Sequence, residues 1–288
     1  MENPLIKAMA FDGNALVLFV NSTELLGAVC HRPSIRSRRL RHALGLTVTA
    51  ASLLAGTLKD PQRLSLSVKL SQPGCTLRAD ADWRGHVRGC ASDELLNMPA
   101  ERLDSQTIPQ LVGDRGVLRI VKDVGLFRSV TGITDMPFGN IVDDLSHYFH
   151  QSEQTPTVFV MHIGFGGDGR IETGVGALAQ LLPGAPGGLL GDIRETLEQL
   201  PGLPPSLLQG EAFRQVPFLL FDDIEIKDVL SVKARCDCSR DMMLPMLYSL
   251  GIGELTAACE NGAPIEVVCH LCGHSYLFEP DEIKKLFR

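Results

Sequence analysis

Two short-spaced cysteine pairs are the part of this sequence best suited to chemistry: Cys236-Asp-Cys238 and, after an interval of 30 residues, Cys269-His-Leu-Cys272. Thiolates are soft ligands, and two close pairs can place four of them around one tetrahedral zinc ion. The second pair has the two-residue spacer of zinc ribbons and knuckles, and Gly273 behind it permits a tight turn. The one-residue spacer of the first pair is less common. Cys236, Cys238, Cys269 and Cys272 are therefore assigned as the ligands of a single zinc ion. Four unrelated buried cysteines would not account for the paired spacing. His270 and His274 are alternative ligands that four available cysteines make unnecessary, and Lys233, Arg235, Arg240 and His270 are close enough in sequence to offset thiolate charge.

The segment around the pairs, residues 232–288, is about 57 residues long and has too little core to be secure alone. A structural zinc contributes ~10–16 kcal/mol of apparent binding free energy, which becomes folding free energy. Thiolates are also the form of cysteine that oxidants attack. Such a site is either a static ribbon or a switch that fails on oxidation, and the spacing leaves both open.

Other chemistry-bearing residues read more plainly. Cys30, Cys75, Cys90 and Cys259 lack paired spacing and are expected to be buried structural cysteines. Gly164-Phe-Gly-Gly-Asp-Gly169 satisfies G-x-G-x-x-G, but no helix start follows, so a strand-to-strand turn is expected instead of a dinucleotide site. The basic run from Arg36 to Arg41 is read as a solvated helix face. No Ser-His-Asp order or pair of catalytic carboxylates stands out, and the protein is not expected to be an enzyme.

The elements that position the cysteines come from periodicity. Strands are expected at residues 15–20, 64–70, 75–82, 117–124 and 155–163, with a return opening at Ile171. Residues 114–116 mark a turn between two strands. Helices are expected at residues 34–58, apolar all round in the second half, and at 140–151. Together they predict an α+β fold: a large N-terminal domain with antiparallel sheets (residues 1–182), a helical linker (183–231) and a small C-terminal zinc-binding domain (232–288). The linker is broken by Pro and Gly, with short helices expected at 189–200 and 205–209, each marginal in isolation. The C-terminal domain is expected to hold a helix at 241–250, strands at 265–268 and 275–278, and a last helix from Pro280.

The bulk numbers exclude some classes. The chain has 288 residues, a net charge of -7 and 44% hydrophobic residues, which disfavours a dedicated nucleic-acid binder. Nothing at the N-terminus reads as a secretory signal, and no apolar run approaches ~18 residues, so a cytoplasmic protein without a membrane span is expected.

The residues resemble the heat-shock protein 33 family of redox-regulated chaperones. The resemblance is carried by Cys-Asp-Cys-Ser-Arg at 236–240 and Cys-His-Leu-Cys at 269–272, with residues 250–255, 265–269 and Tyr276-Leu-Phe278 beside them. It extends over residues 55–59, 63–64, 87–89, 121–125, 152–157 and 176–184. It implies an ATP-independent holdase, inactive while reduced and zinc-bound. On oxidation Cys236 would pair with Cys238 and Cys269 with Cys272. Zinc would be released, the C-terminal domain and linker would unfold, and a homodimer would bind unfolding client proteins. Two other readings compete: a zinc-ribbon nucleic-acid-binding factor, which the acidic balance opposes, and a thiol–disulfide oxidoreductase using Cys269 and Cys272, which lacks a thioredoxin-like setting.

Overall fold

The computed structural model describes residues 3–125, 128–269 and 271–285. The chain divides into two units, Met1–Ala234 and Arg235–Arg288. The first is built on ten strands: β1 (Asn3–Ala10), β2 (Ala15–Asn21), β3 (Arg63–Lys69), β4 (Thr76–Asp82), β5 (His86–Ala91), β6 (Val117–Gly125), β7 (Arg128–Asp135), β8 (Thr157–Phe165), β9 (Ile171–Leu181) and β10 (Glu225–Ala234). They form one sheet in the order β7-β6-β3-β4-β5-β10-β1-β2-β9-β8. All pairings are antiparallel except β10 with β5, which is parallel and limited to Lys233 opposite His86 and Ala234 opposite Val87. The sheet is therefore two antiparallel halves joined by a short bridge. The expected α+β class with antiparallel pairing is the class the chain adopts.

The first unit also holds α1 (Thr23–Cys30), α2 (Arg38–Ala55), α3 (Asp93–Leu96), α4 (Ala100–Asp104), α5 (Ile108–Val112), α6 (Ile141–Ser152), α7 (Leu189–Leu197) and α8 (Val216–Leu220). Helix α2 begins at Ser37, whose hydroxyl accepts from the Leu40 amide at 3.0 Å, an N-cap that satisfies an otherwise orphaned donor. It packs against β3, β4 and β5 on one half-sheet and β8 and β9 on the other. This explains why its second half is apolar all round: residues 43–55 are buried without exception. Gly89 of β5 permits the close approach, since a Cβ there would lie 2.5 Å from Cγ2 of Val48.

Strand β2 shows why an unbroken apolar run suits its place. Leu18 and Val20 join the core under α1 and α2. Val17 and Phe19 point to the opposite face, with Ile6, Ala8, Val158, Val175, Ala177 and Ala179. A strand buried on both faces needs no polar alternation. The second face is covered by the proline- and glycine-broken segment that follows β9. Ile193, Leu197, Leu200, Phe213 and Val216 are all fully buried against it. Phe221 meets the edges of Phe11 and Phe19 at 5.8 and 6.2 Å between ring centroids, and the Asn21 side-chain amide donates to the Leu208 carbonyl at 2.8 Å.

Several expectations change in detail. The helix expected at residues 205–209 is a run of turns, with Leu207 and Leu208 amides bonding back to Pro204 and Pro205. The segment expected to be linker to residue 231 ends in β10, because Ile226, Leu230 and Val232 alternate and β1 lies beside it as an antiparallel partner. The turn at residues 114–116 leads from α5 into β6 and does not join two strands. The basic run is not a uniformly solvated face: Arg41 donates to the Ile35 and Gly169 carbonyls at 3.1 and 3.2 Å.

The second unit contains α9 (Arg240–Leu247), α10 (Ile252–Asn261), β11 (Ile265–Val268), β12 (Ser275–Phe278) and α11 (Pro280–Lys285). Strands β11 and β12 form an antiparallel hairpin, Ile265 opposite Phe278 and Val268 opposite Ser275. Among the described residues no single helix is long and apolar enough to cross a membrane.

Replacing Gly89 with Ala should destabilise the first unit by about 1–3 kcal/mol through overpacking against Val48. Urea unfolding would show this as a lower midpoint at unchanged slope, and an unaltered midpoint would mean that α2 does not press on β5.

Candidate metal centre

Each cysteine pair sits at the end of a local device. Cys236 and Cys238 lie on extended chain just before α9, where the Ser239 hydroxyl caps the helix by accepting from the Met242 amide at 3.2 Å. Cys269 and Cys272 occupy the turn between β11 and β12. The turn is closed by the Gly273 amide on the Cys269 carbonyl at 2.7 Å and the Cys269 amide on the His274 carbonyl at 2.9 Å. Gly273 has φ of 75°, a left-handed conformation that costs glycine nothing sterically.

The four sulfurs lie within 4.8 Å of one another. Cys236 Sγ is 3.8 Å from Cys269 Sγ, and Cys238 Sγ is 3.4 Å from Cys272 Sγ. A tetrahedral ion with metal–sulfur bonds of about 2.3 Å requires sulfurs about 3.8 Å apart. The donor set is all sulfur and the spacing suits it, so these residues fit a zinc-sized ion.

The surroundings treat the thiols unequally. Burial pushes the Cys236 and Cys272 thiols up. Burial acts the same way on Cys269, but the Cys272 and Leu271 backbone amides and the neighbouring thiols donate to its sulfur and bring it below the ordinary range. Cys269 is thus the thiol of the three that ionises most easily. The Tyr276 hydroxyl, one strand away on β12, lies 2.9 Å from the Cys238 carbonyl and 3.2 Å from its Sγ. Hydrogen bonding to Cys238 holds the Tyr276 phenol up at about 12, so it remains a donor at neutral pH.

The apolar support is small. Among the described residues of this unit, Met243, Leu247, Leu255, Val267, Cys269, Phe278 and Ile283 are the buried cluster. Arg240 lies over the Phe278 ring at 4.4 Å and pairs with Glu282 at 2.6 Å. Arg235 pairs with Asp237 at 3.2 Å. These two guanidiniums are each paired with a carboxylate. Lys233 belongs to β10 in the first unit, and His270 lies outside the described residues. His274 is not part of the sulfur cluster; its ring meets the edge of Tyr276 at 4.7 Å. Tyr276 is the functional neighbour that spacing alone did not reveal. Its place as the second residue of β12, opposite Val267, the last but one residue of β11, is the signal that a hairpin reading could have used.

The other cysteines separate. Cys30 and Cys75 are buried, and burial pushes the Cys30 thiol up to about 12. Cys90 and Cys259 are only half-buried, against expectation, because Cys90 alternates towards an open side of β5 and Cys259 sits near the end of α10, its thiol 3.6 Å from the Pro280 carbonyl. The glycine motif at residues 164–169 is the β8–β9 turn, with the Gly166 amide on the Arg170 carbonyl at 2.8 Å.

Comparison with known proteins agrees with this geometry. The family model described as Hsp33 protein matches residues 3–279. The chain belongs to the Hsp33 family. Similar Hsp33-family proteins include the 33 kDa chaperonin of Syntrophotalea carbinolica, 32% identical over 289 residues and covering 99% of both chains. That of Enterococcus faecalis is 27% identical, covering 99% of this chain and 96% of its own. A crystal structure of the Hsp33 homologue from Thermotoga maritima superposes with a TM-score of 0.80 at 23% identity, covering 99% of this chain and 98% of that one. The fold is therefore the Hsp33 fold, and the chain is a member of a chaperone family.

Tyr276→Phe removes the hydroxyl donor from Cys238 and keeps the ring. It should speed metal loss to a chelator by about fivefold, the weight of one hydrogen bond of roughly 1 kcal/mol. A rate equal to that of the unaltered protein would show that the hydroxyl bonds only the Cys238 carbonyl.

Proposed function

We propose that this chain is a redox-switched holdase that works without ATP. The observation that supports it most directly is the meeting of four thiols within 4.8 Å in a unit with so small an apolar core. Bound zinc keeps the four sulfurs as thiolates and cross-links the start of the unit to its hairpin turn. Cys236, Cys238, Cys269 and Cys272 are its ligands in the reduced, inactive state. Oxidation joins two sulfurs by withdrawing two electrons; one peroxide accepts them with two protons and leaves as two waters. Both sulfurs then cease to be metal ligands.

The family resemblance implies the pairs Cys236 with Cys238 and Cys269 with Cys272. Close sulfur contacts also run across the pairs, Cys236 to Cys269 at 3.8 Å and Cys238 to Cys272 at 3.4 Å. A tetrahedral cluster makes all its sulfurs near neighbours, so these distances in the reduced state do not select the product.

The second component is the linker. Residues 183–231 act as a segment of low stability between a core domain (1–182) and a redox domain (232–288). Of these, residues 183–224 lie outside the main sheet, between β9 and β10. Helix α7 has 9 residues and α8 has 5, both below the ~12–15 residues at which isolated helices become stable in water. They persist by covering Ile6, Val17, Phe19, Val175 and Ala177. Release of this cover bares a contiguous apolar face, the kind of surface that captures unfolding proteins. The oxidised protein forms a homodimer and holds clients by binding, not by turnover. Its place is the cytoplasm, where thiols stay reduced until stress.

The test is suppression of aggregation of a thermally unfolding client, measured before and after peroxide with mild heat, together with zinc release and mass-spectrometric mapping of disulfides. Holdase activity should appear with zinc loss and local pairing. Zinc loss without any gain in activity would overturn the reading. Phe213→Ala should loosen the linker by about 3–5 kcal/mol and lower the oxidant and temperature needed for activity. An unchanged threshold in a variant whose linker amides exchange faster would remove the linker from the switch.

A further inference from the structure

A cavity of about 510 Å³ opens at the start of α2, lined by Arg38, Arg39, His42, Asp104, Ile163 and Phe165. It lies in the first unit and has no part in the thiol chemistry. Its size falls in the range of small-molecule sites, and it combines a polar floor with an apolar wall.

The floor is basic in a chain whose net charge is -7. Arg38 and His42 are one helical turn apart and share a face of α2, with Arg39 flanking them. The Arg38 guanidinium carbon lies 4.8 Å from the centre of the Phe165 ring, and His42 meets the same ring edge-on at 6.0 Å. Arg39 Nε is buried and has no hydrogen-bond partner. A buried guanidinium N–H without an acceptor is costly, and the Arg39 side chain also lines the cavity.

Asp104 does not supply that acceptor. Its Oδ1 accepts from the Ser37 hydroxyl at 2.6 Å and the Arg39 amide at 2.8 Å. This carboxylate serves the helix cap, and the Leu40 amide is taken by Ser37. The Arg39 and Leu40 amides are therefore occupied, and the basic side chains that line the cavity are those of Arg38, Arg39 and His42. Burial, with repulsion from Arg39, His162 and Arg38, lowers His42 to about 4. At neutral pH the ring is uncharged and can donate one N–H to an oxygen. Two guanidinium forks and an imidazole match the oxygens of a phosphate group. Phe165 and Ile163 offer an apolar surface to whatever the phosphate is attached to.

We propose that this cavity binds a small phosphorylated metabolite, its phosphate on Arg38 and Arg39 and its apolar or aromatic part against Phe165 and Ile163.

The reduced, zinc-loaded full chain is titrated by calorimetry with adenosine monophosphate, inorganic phosphate and adenosine, while the His42 ring is followed by NMR. Saturable binding of the monophosphate is expected, with inorganic phosphate competing more weakly, adenosine silent and the His42 resonances shifting. Arg38→Gln with Arg39→Gln should weaken binding at least about tenfold, as expected for losing charge-assisted hydrogen bonds. Arg36→Gln, at an exposed position outside the cavity, should leave it unchanged. Unaltered zinc content and thermal midpoint identify a folded double variant, and the His42 shift in the unsubstituted protein tests the site without any substitution. Absence of saturable binding, equal affinity in the double variant, or adenosine binding as well as its monophosphate would each overturn the proposal.

Discussion

The second unit depends on four sulfurs meeting at one point. Its elements are short: an eight-residue α9, a hairpin of two four-residue strands and a six-residue α11. None would persist alone, and seven buried side chains among the described residues hold them together. Cys236 and Cys238 precede the first helix, and Cys269 and Cys272 form the hairpin turn. A single ion bound by all four would tie the beginning of the unit to its middle, closing a loop of some thirty residues. Cross-links of that length remove much of the disorder of an unfolded chain. Stability concentrated in one such site would make the fold sensitive to anything that consumes thiolates.

The first unit distributes its stability differently. Helix α2 is enclosed by both half-sheets, and its buried residues belong to a large cluster shared with α1, α6 and the strands. That face is secured by many side chains. The opposite face of β1, β2, β8 and β9 is just as apolar, yet its cover consists of short helices and turns interrupted by Pro201, Pro204, Pro205, Gly202 and Gly210. One sheet thus has a permanent cover on one side and a cover of weak intrinsic structure on the other. Asn21 and Arg194 add polar ties, the first to the Leu208 carbonyl and the second to Asp143 of α6 at 2.7 Å. Exposed ion pairs such as the latter contribute little, so the cover rests mainly on apolar burial.

Legibility in the sequence followed the strength of local patterning. Leu64, Leu66 and Val68 alternate with serines, and β3 was readable. The capping Asn140 and its amphipathic helix were readable for the same reason. Strand β10 was not, since Lys227 and Asp228 interrupt its alternation and the Pro- and Gly-rich run before it suggested continued linker. Strand β7 was hidden because most of its residues face solvent and carry no periodic apolar signal. The short helices α3, α4 and α5 lie below the length at which periodicity can be seen at all.

For the metal centre, residue type and spacing by themselves determined the four cysteines, because ligand chemistry is a property of the side chains and short spacers bring them together locally. The α+β class was also written in the order of apolar, Pro and Gly residues. Only the tertiary structure decided what lies beside those groups: Tyr276 at Cys238, carboxylates opposite Arg235 and Arg240, and the linker laid over Val17 and Phe19. It also turned a basic stretch read as solvated into the lining of a cavity. These are contacts between residues far apart along the chain, fixed by strand register and helix packing, and a single sequence carries no direct record of them.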